Sequence, residues 1–267
     1  MKTILITGAS TGIGKAIGAH LASKGHRVFG TSRNPEQYPD STFELLKLDV
    51  RNSESIHAAI ATILQKTGCI DVLINNAGVG IAGAVEELPE SEIKNNFEVN
   101  FFGPVSVIKA VLPTMRIQKS GLIINITSIA GHMGLPFRGA YSASKGALSV
   151  LTEAIAMEVK TFGIHVCCVA PGDFATNIAA GRFHAPLIAG SDYETGYQKT
   201  LDLMNKHVTT GNDPMTIAIK IEKIIDSKKP KLHYKIGSFL QKFSIILKFV
   251  LPDLVYQKIL MKHYGLA

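Results

Sequence analysis

A tyrosine and a lysine lie four residues apart in the run YSASK, as Tyr141 and Lys145. The run opens a stretch with helical character, in which this spacing places both side chains on one face. A phenol has an ordinary pKa of about 10 and is a poor acid–base group at neutral pH, but a neighbouring ammonium favours the phenolate and lowers that pKa. The pair therefore predicts proton transfer, although a tyrosine and a lysine at this spacing are more often part of a helix surface.

Other polar residues follow the ends of apolar, strand-like runs. Ser128 ends the run LIINITS, and the NNAG sequence at Asn75–Gly78 follows the run DVLI. In a parallel sheet such positions share the carboxyl edge, where ligands bind in open α/β folds. Asn100 lies in a further helical stretch, EVNFFG. We therefore expect a site at the carboxyl edge of the sheet.

The first strand-like run leads directly into a glycine-rich loop, TGASTGIG at 7–14. Gly8 permits a tight turn, Gly12 lets the backbone approach a pyrophosphate, and Gly14 allows the next helix to pack closely. The N-terminus of that helix directs N–H groups and its positive dipole end towards phosphates. Glycines alone are weak evidence, but their place between a strand and a helix predicts a dinucleotide site. The other candidate residues of the loop are Ser10, Thr11 and Ile13.

The end of the second strand distinguishes NADP from NAD. NAD sites usually place a carboxylate about 20 residues beyond the loop, where it holds the ribose hydroxyls. This chain instead has Arg33 there, and the first acid that follows is Glu36. A guanidinium can pair bidentately with a 2′-phosphate, so the sequence favours NADP(H) and leaves NAD(H) as the alternative. If Arg33 is only a solvated loop residue, the sequence gives no reason to prefer NADP(H) over NAD(H).

Apolar runs and helical stretches alternate along the chain. Runs of strand length lie at 3–7, 27–31, 45–48, 71–74, 122–126 and 165–170, and a further strand is expected at 231–236. Continuous apolar strands separated by helices predict a parallel sheet that is covered on both faces. We therefore expect an α/β fold with a doubly wound parallel sheet (Rossmann fold) of about seven strands. Residues 1–237 would form one catalytic domain, with 238–267 as an amphipathic helical extension of it.

Two segments do not follow this alternation. Residues 173–211 are less regular, and a long segment of that kind is often a lid over a substrate. In the tail, Phe239, Phe243, Ile246 and Val250 follow helical spacing. The last 48 residues contain ten Lys and three acids, and so hold the whole net charge of +7. A flap over an apolar pocket, a dimer contact and a basic anchor on a membrane all fit this tail, whereas a solvated Lys-rich face is the simplest explanation of its charge.

Composition limits the class of protein. With 46% apolar and 18% charged residues, the chain is expected to be globular rather than disordered. Met1 and Lys2 lead straight into a strand-like run, and no run of eighteen apolar residues occurs, so we expect neither an export signal nor a transmembrane helix, and a cytoplasmic location. The three Cys and nine His lack metal-ligand spacing, so no metal is expected, and nothing indicates a nucleic-acid partner.

Taken in order, these motifs resemble those of the short-chain dehydrogenase/reductase family. The matching features are TGASTGIG at 7–14, Asp49, NNAG at 75–78, Asn100, Ser128, YSASK at 141–145 and PGDFAT at 171–176. They cover about two thirds of the chain. No single motif is decisive, but the ordered set is highly specific.

The resemblance implies a role for each matching residue. Tyr141 would protonate the carbonyl oxygen during reduction and act as the base in the reverse direction. Lys145 would favour the phenolate and hold the nicotinamide ribose, and Ser128 would hydrogen-bond the substrate oxygen. Asn100 would hold a water behind Lys145. The remaining cofactor contacts would be Asp49 and Val50 at the adenine, Asn76, Ala77 and Gly78 beside the cofactor, and Pro171, Gly172 and Thr176, with Thr176 at the carboxamide.

The substrate side is defined less well by the sequence. Apolar residues that could line a pocket are Met133, Leu135, Phe174, Phe183 and Leu187, although several of them could equally belong to the core. The PGDF stretch and the tail are similar to the steroid and retinol dehydrogenase branch of the family. That similarity implies a lipophilic alcohol or ketone as substrate, and the family resemblance implies a homodimer or homotetramer.

Two other functions stay open. The first is a 3-oxoacyl thioester reductase whose basic surface meets an acidic carrier protein, and turnover of a β-ketoacyl thioester would identify it. The second is a redox sensor that binds NADP(H) without catalysis. Intact Ser128, Tyr141 and Lys145 argue against the sensor, since binding alone does not require all three.

Overall fold

The computed structural model describes residues 1–174, 181–209 and 212–266. Seven strands form one parallel sheet, and they are β1 (Thr3–Ile6), β2 (Arg27–Ser32), β3 (Glu44–Lys47), β4 (Val72–Asn75), β6 (Gly121–Ile126), β7 (Ile164–Pro171) and β9 (His233–Ile236). Their order across the sheet is β3-β2-β1-β4-β6-β7-β9. A separate two-stranded parallel sheet pairs β5 (Ile81–Ala82) with β8 (Phe183–His184).

Helices cover both faces of the main sheet. They are α1 (Gly12–Ser23), α2 (Ser53–Thr67), α3 (Glu90–Phe97), α4 (Gly103–Gln118), α5 (Gly139–Glu158), α6 (Glu194–Thr209), α7 (Met215–Ile225), α8 (Phe239–Val250) and α9 (Asp253–His263). Along β1, Ile4 and Ile6 join the apolar layer beneath α1 and α7, whereas Leu5 joins the layer beneath α2 and α4. The central strands β1, β4, β6 and β7 bury both faces, whereas the edge strands β3 and β9 are partly exposed. This pattern confirms the predicted doubly wound fold.

The strand boundaries agree with the sequence pattern to within two residues at each end. The run at 45–48 is observed as β3, and the strand expected at 231–236 is β9. The order of strands reverses between β1 and β4, so the first βα turn and the carboxyl ends of β4 and β6 meet around one crevice. Ligands bind at such a reversal in open α/β sheets.

The segment 173–211 is more regular than its sequence suggests. It contains β8 and the sixteen-residue helix α6. In α6, Tyr197, Thr200 and Met204 are almost fully buried, with Leu201 packed beside them. This helical spacing was present in the sequence but was obscured by the polar residues around it and by Gly196.

The tail forms two helices, α8 and α9, that follow the last strand. Its inward side chains include Ile245 and Tyr256, which pack against Ile129, Met133 and Ala170 beside the carboxyl end of the sheet. The apolar stripe singled out in the sequence, Phe239, Phe243, Ile246 and Val250, lies on the outside and is exposed. Within the described ranges, no helix is both long enough and apolar enough to cross a membrane.

Candidate active site

A cleft of about 430 Å³ lies at the carboxyl edge of the main sheet. Its walls include most of the residues that the sequence singled out. These are Gly8, Ser10, Thr11, Gly12, Ile13, Arg33, Asp49, Val50, Asn76, Ala77, Gly78, Ser128, Tyr141, Lys145, Pro171, Gly172 and Phe174. Gly14 and Asn100 lie behind these walls, and Thr176 is outside the described residues.

The glycine loop forms a close-packed cradle at the start of α1. Gly8 and Gly12 have φ values of 63° and 55°, a backbone region that side chains disfavour. A Cβ added at Gly14 would lie 2.4 Å from the Gly8 carbonyl oxygen, and one at Gly8 would lie 2.9 Å from the Cα of Ala77. The loop thus brings bare backbone and the N-terminus of α1 to the cleft, which fits the diphosphate of a dinucleotide.

The NNAG residues hold this loop in place. The Asn76 side-chain amide donates to the carbonyl oxygens of Thr7 (3.0 Å) and Gly8 (2.8 Å). The Thr7 hydroxyl accepts from the backbone N–H groups of Asn76 and Ala77, at 3.0 and 3.1 Å. Because these bonds cross from β4 to β1, the two strand ends that form the floor of the cleft are fixed relative to each other.

Tyr141 and Lys145 lie in the first two turns of α5, and both are buried. The Lys145 ammonium donates to the carbonyl oxygen of Ile126 at the end of β6, at 3.0 Å. Burial lowers the pKa of Lys145 to about 8. The fold therefore holds a cation in a desolvated position one helical turn from the phenol, as the chemistry inferred from the sequence requires.

Ser128 and Asn100 are fixed from different sides of the cleft. Ser128 lies just beyond β6, and its hydroxyl accepts from the N–H of Ala130 at 3.1 Å. Asn100 is fully buried in a π-helical turn, Glu98–Phe102, between α3 and α4. Its side chain exchanges two hydrogen bonds of 2.9 Å with the backbone of Val79. Turns of this type are rare and often mark functional positions.

Two further buried side chains complete the Asn100 network, and the sequence analysis did not identify them. The Ser144 hydroxyl donates to Asn96 at 2.8 Å, and the Asn100 amide lies 3.2 Å from the acceptor oxygens of both residues. Asn96 precedes Asn100 by one helical turn, and Ser144 precedes Lys145. The available sequence signal was the position of the polar residue Asn96, one helical turn before Asn100 on the same helix face.

Charged residues at the adenosine end of the cleft include one that sequence reasoning missed. Arg51 donates to both carboxylate oxygens of Asp49, at 3.1 and 2.8 Å, and holds the pKa of Asp49 below its usual value. Arg33 is exposed, and its charge contributes to the same lowering. The two arginines therefore lie around one carboxylate at this end of the cleft.

The opposite end of the cleft borders the substrate side. Of the apolar residues considered there, Phe174 lines the cleft, whereas Met133, Leu135 and Phe183 pack within neighbouring apolar clusters and Leu187 is exposed. The cleft here also has two cations that the sequence analysis did not identify, Arg138 and Arg182. No motif marks either residue, because one precedes α5 and the other lies next to β8.

Comparisons with known proteins agree with this geometry. Residues 2–186 match the family model described as short chain dehydrogenase. A 3-ketodihydrosphingosine reductase of Bacteroides thetaiotaomicron is 42% identical over 99% of this chain and 98% of its own. Human retinol dehydrogenase 8 is 33% identical over 86% of this chain and 80% of its own. A short-chain dehydrogenase structure from Streptomyces avermitilis superposes with a TM-score of 0.80, at 32% identity, over 99% of this chain and 97% of its own.

The chain therefore belongs to the short-chain dehydrogenase/reductase family. It is a nucleotide-binding oxidoreductase of CH–OH groups with a Rossmann fold, as its motifs predict. The similarity to a retinol dehydrogenase also confirms the branch of the family that the tail and the PGDF stretch suggested.

Proposed function

We propose that the protein is an NADP(H)-dependent reductase or dehydrogenase that acts on a lipophilic carbonyl or alcohol. The observation that carries this proposal is the desolvated Lys145 ammonium one helical turn from Tyr141, in a cleft whose other end is a glycine cradle. Burying an ammonium group costs free energy, and buried charged groups in clefts are typical of functional sites.

In this proposal each polar side chain handles one part of a proton transfer. When NADP(H) is bound, its nicotinamide supplies or accepts the hydride. The Tyr141 hydroxyl donates its proton to the carbonyl oxygen during reduction, and Lys145 stabilises the resulting phenolate. The Ser128 hydroxyl donates to the same substrate oxygen as charge develops on it. Asn100 positions the backbone at Val79 and supports the proton relay behind Lys145.

The preference for NADP(H) rests on the adenosine end. Arg33 is exposed there, and Arg51 is already oriented by its bidentate contact with Asp49. A dianionic 2′-phosphate would accept charge-assisted hydrogen bonds from a guanidinium, whereas the 2′-hydroxyl of NAD gains less from it. Thr176 is proposed as the carboxamide contact on the strength of its motif alone.

The lipophilic substrate rests on the surroundings of the cleft and on the relatives. Ile129 and Met133, which follow Ser128, pack against Ile245 and Tyr256 of the tail, so an apolar layer lies behind the substrate side of the cleft. The tail therefore supports the wall of the cleft from behind. Two of the relatives are named for a ketodihydrosphingosine and for retinol, and both of these molecules combine a polar end with a long apolar chain.

The first test follows NADPH consumption with long-chain aldehydes, steroid ketones, retinal, 3-ketodihydrosphingosine and an acetoacetyl thioester. We expect turnover of at least one long-chain member, with NADPH used better than NADH. The Tyr141→Phe variant should lose about a thousandfold in kcat, since general acid–base catalysis contributes about 10²–10⁴-fold, and should still bind NADPH. Full activity of the variant would remove Tyr141 from the mechanism.

The same panel separates the alternatives. Turnover restricted to the acetoacetyl thioester would favour the thioester reductase. Tight NADPH binding without turnover of any member would favour the non-catalytic redox sensor.

The family implies a homo-oligomer, and sedimentation velocity of the full chain measures whether it is a dimer or a tetramer. Fractionation of the source cells tests the cytoplasmic location.

We further propose that the tail contacts an anionic membrane surface, from which a lipophilic substrate could enter. Its outer face exposes ten large apolar side chains, listed in chain order as Phe239, Leu240, Phe243, Ile246, Phe249, Val250, Leu254, Val255, Ile259 and Met261. Exposed Lys242, Lys258 and Lys262 border them, and Asp253 is the one acid in residues 238–266. An exposed apolar face bordered by lysines is complementary to anionic lipid headgroups.

A further inference from the structure

Two arginines of the cleft have no part in the chemistry proposed above. Arg138 precedes α5, and its guanidinium carbon lies 5.3 Å from the centre of the Tyr141 ring. Arg182 precedes β8 and packs over the backbone of Gly80, where an added Cβ would lie 2.9 Å from its Cγ. Both line the end of the cleft that contains Tyr141. They therefore place positive charge beside the reacting carbonyl rather than at the adenosine end.

The described residues around these arginines offset their positive charge only in part. Burial lowers the pKa of Arg182, and the charge of Arg138 lowers it further, whereas Tyr141 and Asp173 raise it by less. Its Nη1 is buried without a hydrogen-bond partner in the part of the chain that the structure describes. Neither arginine forms a salt bridge with a described residue. A buried donor without a partner and a like charge nearby both disfavour the site unless an anion binds there.

The last residues of the chain help to form the same corner. Tyr264 is buried, and the charge of Arg138 and a hydrogen bond from it act on the hydroxyl, partly offsetting the rise in its pKa that burial causes. Leu266 and Phe137 lie together over Gly196 of α6. Segments far apart in the sequence thus converge around the two guanidinium groups and limit the access of water, so that charge–charge interactions there are screened less than at the surface.

We propose that Arg138 and Arg182 form an anion-binding subsite for the substrate. Resting on the proposed function, this assigns the substrate as a carbonyl compound with an apolar chain and with a carboxylate, sulfonate or phosphate group a few bonds from the carbonyl carbon. Guanidinium groups match such anions in geometry and can bind them bidentately. An ammonium at the same place on the substrate would be repelled, so an amino ketone would be used less well than an anionic ketone of equal chain length.

The test compares 4-oxohexadecanoate with its methyl ester, which keeps the ketone and the chain but removes the charge. For the wild-type protein with saturating NADPH, we expect kcat/KM for the acid to exceed that for the ester at least tenfold, mainly through KM. In Arg138→Gln and Arg182→Gln this preference should fall at least tenfold while ester turnover is kept. Arg116→Gln, an exposed arginine at the far end of α4, is the matched control and should retain the preference.

NADPH affinity, measured by fluorescence titration, distinguishes this subsite from a cofactor contact and also checks that each variant is folded. An unchanged Kd in both variants is expected. Weaker NADPH binding in the variants would assign the arginines to the cofactor and overturn the proposal, as would equal use of acid and ester by the wild-type protein. Tyr141-dependent turnover of the neutral ester would leave the proposed function intact in either case.

Discussion

The two ends of the cleft both contain arginines, but in different electrostatic surroundings. At the adenosine end, Arg51 is held in a bidentate contact with Asp49, and Arg33 is exposed to water. At the substrate end, Arg182 is half-buried, with a buried Nη1 that lacks a partner among the described residues. At the first end one of the two arginines is already paired and the other is solvated before any ligand binds, whereas at the second end a buried guanidinium group gains most from a ligand. The adenosine end therefore suits a constant cofactor, and the substrate end suits selection among substrates.

Lys145 lies between these ends, and its burial is expected to lower the free energy of unfolding of the protein. Below a pH of about 8, the folded protein must hold the Lys145 ammonium in a desolvated place. Because burial lowers its pKa from 10.5 to about 8, the Lys145→Met variant should unfold at pH 7 with a free energy up to about 3 kcal/mol higher than the wild type. The same variant should be inactive.

The free energy of unfolding is also expected to depend on pH because of Lys145. Between pH 8 and 10.5 the unfolded wild-type chain binds a proton at Lys145 that the folded protein has released, so wild-type stability rises with pH through this window. The advantage of Lys145→Met should shrink over the same range in urea unfolding of the cofactor-free protein. Lys109→Met, at an exposed position of α4, should show no such trend. If Lys145→Met is no more stable at pH 7, the ammonium is not desolvated as described.

A second prediction concerns the cradle at the cofactor end. In Gly14→Ala, the new methyl group would lie 2.4 Å from the Gly8 oxygen and 2.5 Å from the Asn76 amide nitrogen, so the loop must shift. Overpacking of this kind costs about 1–3 kcal/mol, and we expect NADPH affinity to fall about tenfold to a hundredfold. Gly134→Ala, which meets no atom within 4 Å, should keep wild-type affinity. Equal affinities in titrations of the two variants would show that the cradle does not need Gly14.

The different surroundings of the two arginines at the adenosine end predict unequal roles for them. Arg33→Gln should reduce the ratio of NADPH to NADH affinity about tenfold, because a charge-assisted hydrogen bond contributes about 1.5–3 kcal/mol. Arg51→Gln should reduce the ratio less, since Arg51 is already bound to Asp49. Arg27→Gln, on the exposed start of β2, is the control. Equal binding of the two cofactors by the wild-type protein would contradict the proposed preference.

The same contrast explains how much the sequence could predict. At the cofactor end, Gly8, Gly14 and Asn76 are required by backbone geometry, so their types and spacing appear in the sequence as motifs. The sheet was predictable because its central strands are buried on both faces and are therefore largely apolar. The Asn96–Ser144 pair was missed because a polar residue one helical turn from Asn100 is a weak signal until the position of its partner is known.

The substrate end could not be predicted in this way. Arg138, Arg182 and Tyr264 come from three distant segments, and nothing in their local sequence requires them to meet. The exposed stripe on α8 was found by its spacing, but helical period does not distinguish an inward apolar face from an outward one. In the structure, Ile245 points inward and Phe239 outward.

The smallest expected effect concerns the outer face of the tail. The full chain should sediment with vesicles that contain phosphatidylglycerol and bind pure phosphatidylcholine vesicles less. Lys242→Gln and Lys258→Gln should each weaken this binding about fivefold, since a lysine near an anionic surface contributes about 1 kcal/mol, whereas Lys160→Gln outside the tail should not. Phe249→Ser should weaken binding to both vesicle types, because it removes apolar contact rather than charge. If no vesicle binding occurs and Phe249→Ser instead dissociates an oligomer, a second copy of the chain covers this face, and the substrate reaches the cleft from solution.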